Sequence, residues 1–251
     1  MLKRTFISQA LRRFQTFQSV PMFPGAWFQG VRNYLIETSE TPNPDCLRFF
    51  SMELSFLPPG QSMDMPNSGH SYKSPLAEAL FAVDGVDGLY FADEYITVTK
   101  CKDSSWEDLT VQIQESVNSF AESKHSILSE DGEQAVNVSN DDTEPKPDDD
   151  EVVLAVKELL ATRIRPMLRS DGGNVRYVGM DDGAVYVMLE GACKTCPSSG
   201  ATLKNGIERM LMHWIPEVVE VLEIDEDFAE DFRRQEEEKK AAAKKAADVP
   251  K

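Results

Sequence analysis

Apolar side chains recur along this chain in two blocks of short runs, separated by a stretch with no periodicity. In the first block, Tyr34–Thr38 and Cys46–Phe56 read as strands joined by the turn Thr41-Pro42-Asn43-Pro44. Ser74 before Pro75 supplies an N-cap with proline at the first helical position, and Leu76, Ala79, Leu80 and Val83 continue on one face. Val86–Phe91 and Tyr95–Lys100 are aromatic and β-branched runs around Asp93-Glu94, the pattern of a hairpin. Ser104-Ser105-Trp106-Glu107 matches a capping box, and Trp106, Leu109, Ile113, Val117 and Phe120 form the stripe of a closing helix. Nothing in this block assembles a chemical site, so it reads as a scaffold or a docking surface.

The second block opens at Asp148-Asp149-Asp150 with a helix whose apolar stripe is Val152, Val156, Leu159, Leu160 and Ile164. Its basic end holds Arg163, Arg165 and Arg169, so both ends complement the helix dipole. Pro166 is expected to kink or finish it, with Asp171-Gly172-Gly173 as a left-handed exit. Asn174–Met180 and Ala184–Glu190 read as a hairpin around Asp181-Asp182-Gly183. The loop Gly191 to Gly200 follows, then a helix carrying Leu203, Ile207, Met210 and Leu211, then a strand, Val218–Ile224.

These elements predict an α+β protein: two small α+β domains, residues 31–124 and 151–228, joined by an acidic flexible linker over 125–150. The second domain has the order α-β-β-α-β. Between Glu130 and Glu151 ten acidic residues face the single Lys146, the composition of a solvated segment, and the domains are expected to tumble semi-independently. Residues 229–251 read as a charged tail without an apolar face.

Charge divides the chain further. Met1 to Ile36 contains Lys3, Arg4, Arg12, Arg13 and Arg32 and no acid, with Phe6, Ile7, Ala10, Leu11, Phe14 and Phe17 near helical spacing. Such a leader reads as a mitochondrial transit peptide, assigned to residues 1–30, rather than a basic tail, because the change to acidic sequence after Glu37 is abrupt. The formal net charge of −17 argues against nucleic acid or an anionic membrane as partner. No apolar run approaches the roughly 20 residues a membrane span needs.

Four cysteines in 251 residues are too few for a disulfide scaffold. Cys46 and Cys101 lie in strand-like apolar runs and are expected to be buried and inert, and His213, beside Trp214, to pack or cap. Cys193 and Cys196 stand apart, in Gly191-Ala192-Cys193-Lys194-Thr195-Cys196-Pro197-Ser198-Ser199-Gly200, after a strand and before a helix. Two cysteines at this spacing can aim both sulfurs at one metal-sized point. Helix amides, with Lys194 and Lys204 nearby, favour the thiolate that binds metal, and the strip to Trp214 is net positive. The pair is open to three uses: half of an iron–sulfur cluster shared by two chains, a zinc-bridged structural dimer, or a dithiol–disulfide oxidoreductase. Zinc lacks companion ligands, since His213 stands alone, and the redox reading lacks the larger parallel sheet such dithiols use.

The run Arg163–Asp171-Gly172-Gly173, the hairpin after it, and the Cys193–Cys196 loop resemble the Nfu-type proteins, named for the C-terminal domain of the nitrogen-fixation scaffold NifU. Thr38 to Phe49 looks like the N-terminal domain of the mitochondrial members. The stretch around Gln61 to His70 and the long acidic linker depart from the family pattern. The resemblance implies a non-enzymatic scaffold or carrier in the mitochondrial matrix. It implies Cys193 and Cys196 as ligands of a 4Fe–4S cluster, with a 2Fe–2S form left open, held between the two chains of a homodimer. It further implies upstream cluster-assembly proteins as donors, and clients such as lipoyl synthase or aconitase-type enzymes.

Overall fold

The computed structural model describes residues 33–138, 141–195 and 200–247, and the expected transit peptide lies outside them. The first domain begins with β1 (Glu37–Glu40) and β2 (Cys46–Phe50), then β3 (Gln61–Met65) and a short 3-10 turn, Ser68–Lys73. Helix α1 (Pro75–Phe81) follows, then β4 (Val86–Ala92), β5 (Tyr95–Lys100) and helix α2 (Trp106–Ser123). Ser74 and Ser105 cap the two helices, accepting from Ala77 N and Glu107 N.

The strand β3 falls in the stretch around Gln61 to His70 that departs from the family pattern. Met63 and Met65 alternate there with Ser62 and Asp64, and the two methionines enter the core. The second expected strand stops at Phe50 rather than Phe56, because the chain leaves the sheet and Phe56 N–H donates to Asp93 O. One antiparallel sheet of order β1-β2-β5-β4-β3 results, closed at the β3 edge by β6 (Asn137–Val138). One face, with Phe49, Met63, Met65, Leu89, Phe91, Ile96 and Val98, packs on Leu76, Leu80, Leu109, Ile113 and Val117 of the two helices. Tyr90, Ala92 and Tyr95 on the other face are equally buried, so both faces of β4 and β5 are covered.

The segment expected to be a solvated linker carries structure. Its first part is fastened to the first domain: helix α3 (Glu130–Ala135) is capped by Ser129, whose N–H reaches Lys73 O, and β6 pairs with β3. Its second part is fastened to the second domain. Asp142 pairs with Arg165, and Asp149 with Lys157 at 2.5 Å; both cations are 3% exposed or less. The acids are therefore held by partners on a neighbouring helix rather than left to water.

That helix runs as α4 (Glu151–Leu159), a π turn (Leu160–Ile164) and α5 (Arg165–Ser170). Pro166 does not end it. The wide turn before it relieves the clash between the proline ring and the preceding turn. Then come β7 (Gly173–Asp181), β8 (Ala184–Gly191), the single turn α6 (Ala192–Thr195), helix α7 (Gly200–Trp214), β9 (Glu220–Glu223) parallel to β8, and α8 (Glu226–Ala247). The expected α-β-β-α-β order is present. The charged tail begins differently, because Ala229 is buried and Phe228 and Phe232 stack on Tyr186. The described residues form a single compact unit, so the expectation of independently tumbling domains is replaced by a direct contact between them.

Candidate functional site

The segment carrying Cys193 is built by two glycine turns that meet. Gly172, at φ +82°, turns the chain out of α5, and Gly191, at φ +62°, ends β8; both conformations favour a residue without Cβ. Ala192 N–H donates to Gly172 O at 3.2 Å, tying the turns together. Cys193 follows in α6, is 4% exposed and packs in the core of the second domain. Its sulfur lies so close to Gly173 that a Cβ there would stand 2.4 Å from Sγ. Lys194 is exposed beside it. Cys196, with Pro197-Ser198-Ser199, lies outside the described residues.

The other cysteines are not brought to this corner. Cys46 is buried in β2, its Sγ 3.2 Å from Thr99 Oγ1, as expected. Cys101 is exposed, against expectation, because β5 ends one residue earlier and the chain turns out of the sheet. His213 is exposed and meets Trp214 edge to face at 5.5 Å. Among the described residues no three His, Cys, Asp or Glu side chains gather to hold a metal ion.

What the sequence did not disclose is the wall facing the loop. Arg48, Thr97, Tyr90 and Asp64 are register partners across β2, β5, β4 and β3, so they form one row on the sheet face away from the helices. Arg48 Nη1 donates to Ser170 O at 2.8 Å, and Thr97 Oγ1 donates to Gly172 O at 2.7 Å. The Tyr90 ring lies under Gly191, where a Cβ would come within 2.9 Å of it. Asp64 Oδ1 accepts from Gly191 N–H at 3.2 Å while Oδ2 meets Lys194 Nζ at 3.4 Å. From the β1–β2 turn, buried Asn43 donates from Nδ2 to Ala192 O at 3.3 Å. Each of these residues looks like an ordinary strand or turn residue in sequence. Only the register puts them on one line.

The local charge balance also differs from the net positive strip expected. Asp64 stands against Lys194, and Glu223 of β9 feels both Lys194 and Lys204. Burial raises both carboxyls above their usual range, against the pull of these lysines. Behind them Glu190 is buried in β8, accepts from Asn174 Nδ2 at 3.0 Å and lies 3.7 Å from Arg176. Burial first, and then the neighbouring Asp64 carboxylate, push Glu190 up to about 7. Tyr95, pushed up to about 12 by burial, carries Arg48 stacked 4.2 Å over its ring.

A thiol held at a strand–helix corner, beside a lysine and between glycine turns, has the chemistry to ligate a soft metal centre. Comparison with known proteins is specific here. Residues 156–222 match the family described as NifU-like domain, and residues 36–124 match the family described as scaffold protein Nfu/NifU N terminal. The human NFU1 iron–sulfur cluster scaffold homolog, mitochondrial, is 38% identical over 240 residues, covering 92% of this chain and 88% of that protein. NifU-like protein 5, mitochondrial, of Arabidopsis thaliana is 42% identical over 202 residues, covering 78% and 70%. The mitochondrial NFU1 scaffold homolog of Drosophila erecta is 38% identical over 195 residues; the match covers 78% of this chain and 66% of the fly protein's length.

Proposed function

The chain belongs to the Nfu/NifU family of mitochondrial iron–sulfur cluster scaffold proteins, and on that premise we propose that Cys193 and Cys196 hold half of a 4Fe–4S cluster completed by a second copy. Location in the mitochondrion follows from the same membership. The observation that carries the proposal is the place of Cys193, inside the matched domain in the turn that follows β8. A cube takes four thiolates and each chain offers two here, so the symmetric solution is a dimer with the cluster on its two-fold axis. Cys46 is enclosed in the other domain and Cys101 leaves the sheet elsewhere, so neither competes for that role.

The chain acts as a carrier rather than a catalyst. It receives a cluster from upstream assembly proteins in the matrix, holds it in a site that two chains share, and gives it to apo-proteins of the lipoyl synthase or aconitase type. A shared site comes apart when its two halves separate, which makes release possible without unfolding. The test is anaerobic reconstitution of the full chain, with iron and sulfide per chain measured alongside light-scattering mass. Wild type is expected to be dimeric when loaded and to absorb in the visible. Cys193→Ala and Cys196→Ala are expected to lose the cluster, while Cys46→Ala and Cys101→Ala keep it. A colourless metal-bound dimer would point to zinc, and a stable cube on Cys193→Ala would overturn the shared site.

A further inference from the structure

The contact between the two domains falls on the segment that the proposed cluster would use. Gly191, Ala192 and Lys194, which bracket Cys193, are each held by a side chain of the first domain: Asp64, Asn43 and again Asp64. The α6 turn that contains Cys193 lies against β5. Cys193 Sγ packs against Gly173 in the core of its own domain, and the turn that carries it is backed by the sheet. A second chain approaching this turn meets first-domain side chains that already hold it.

The wall is largely polar. The two main apolar cores are separate clusters, one in each domain, and neither spans the contact. The contact itself combines side-chain to backbone hydrogen bonds and ion pairs at 3.4 and 3.6 Å, Lys194–Asp64 and Arg169–Asp93, with the small buried patch of Tyr90, Ala92 and Tyr95. Tyr95 Oη is buried without a hydrogen-bond partner among the described residues. Parting the domains would return these polar groups to water and expose that small patch, while leaving both main cores intact.

We propose that the row Arg48–Thr97–Tyr90–Asp64 is a reversible cap on the Cys193 loop, closed in the cluster-free chain and displaced when a second copy docks to share a cluster. The cap shields the thiol from oxidants and stray metals until a partner competes for the loop. Asp64 is its pivotal residue, since one carboxylate holds both the Gly191 amide and the lysine between the two cysteines. The identity of the competing copy rests on the function proposed above, but closure of the cap does not.

Exposed Cys101 makes the measurement self-calibrating. In the full, cluster-free chain, alkylation by iodoacetamide is followed residue by residue with peptide mass spectrometry. Cys101 reports unhindered reaction, and amide-exchange protection of Phe91 and Ile96, in the helix-covered core, reports integrity of the first domain. Cys193 in wild type is expected to react far more slowly than Cys101. In Asp64→Ala it should speed up by roughly ten-fold or more, about what one lost charge-assisted contact does to a closed–open equilibrium, with Phe91 and Ile96 still protected. Should Asp64→Ala lose that protection as well, Asp64→Asn is read instead, which keeps an acceptor for Gly191 and loses only the charge. Wild-type Cys193 reacting as fast as Cys101 overturns the cap. So does a folded variant with no acceleration. Labelling that accelerates while cluster assembly fails in every protein would leave the cap standing and overturn the cluster reading.

Discussion

Glu190 gives the sharpest thermodynamic test of the domain contact. Its carboxyl is enclosed; Arg176 and Asn174 favour its charged form, while burial and the Asp64 carboxylate across the contact oppose it. The folded pKa of about 7, against an ordinary 4.5, means that the folded chain holds a proton that the unfolded chain has released. A group raised in this way contributes its stability fully below the unfolded pKa and loses it as pH rises through the folded one. At about 1.4 kcal/mol per pH unit, the loss between these limits amounts to about 3 kcal/mol. Glu190→Gln keeps an acceptor for Asn174 and removes the charge, while Arg176 retains Glu226 at 3.5 Å. Urea denaturation of wild type and variant at about pH 5 and about pH 8 isolates the effect, because the general repulsion of an acidic chain is shared by both proteins. The variant should match wild type within about 1 kcal/mol at the lower pH and exceed it by about 2–3 kcal/mol at the higher. A difference independent of pH would refute the buried-carboxyl argument.

Gly173→Ala should disturb the loop directly, since the new methyl would stand 2.7 Å from Glu190 O and 2.9 Å from Cys193 N, backbone atoms that cannot swing away. A drop in the urea midpoint, with faster amide exchange at Ala192 and Cys193, is expected, and unchanged exchange would show that the loop has another support. Arg165→Ala removes the guanidinium that bonds Val175 O and Thr143 Oγ1 and pairs with Asp142, leaving a partly buried carboxylate without its charge partner. The expected loss is about 3 kcal/mol by denaturation, and a loss below about 0.5 kcal/mol would mean that the 141–150 segment is held by other contacts.

Local pattern carried most of the elements. The caps at Ser74 and Asp150, the hairpin at Asp182-Gly183 and the left-handed turn at Gly172 each rest on chemistry within a few residues, and each is found where the sequence puts it, whereas the capping box put the α2 cap at Ser104 and it falls one residue later, at Ser105. What escaped was pairing at a distance. The acids at 142 and 149 look solvated in sequence, because nothing local reveals that Arg165 and Lys157 face inward on the next helix. Strand β3 hid in a polar stretch whose only signal was Met63 alternating with Ser62 and Asp64. The site divided in the same way. The Cys193–Cys196 spacing and the glycines around it are legible, whereas Asp64, Asn43 and Thr97 acquire meaning only when strand register lines them up against the loop. One clue was present in β4, whose Leu89–Ala92 run lacks a polar face and so calls for cover on both sides.

That cover bears on how a carrier can hold its cargo firmly and still part with it. If both chains of a shared site must open, the apparent assembly constant falls with the square of the open fraction. An open fraction of about one in ten therefore weakens assembly about a hundred-fold. The penalty is largest for scattered single chains, and is overcome where chains are concentrated or where a donor has already displaced the cap. It acts in the opposite sense at delivery. Once the cluster passes to a client, each loop can return to Asp64, Asn43 and Thr97 of its own chain, a competitor at high effective concentration because it is covalently attached. Closure then opposes recapture of the released cluster and covers the emptied thiol in one movement. On the proposed function, closure of the row would therefore shift the exchange towards release, lowering loading and recapture alike.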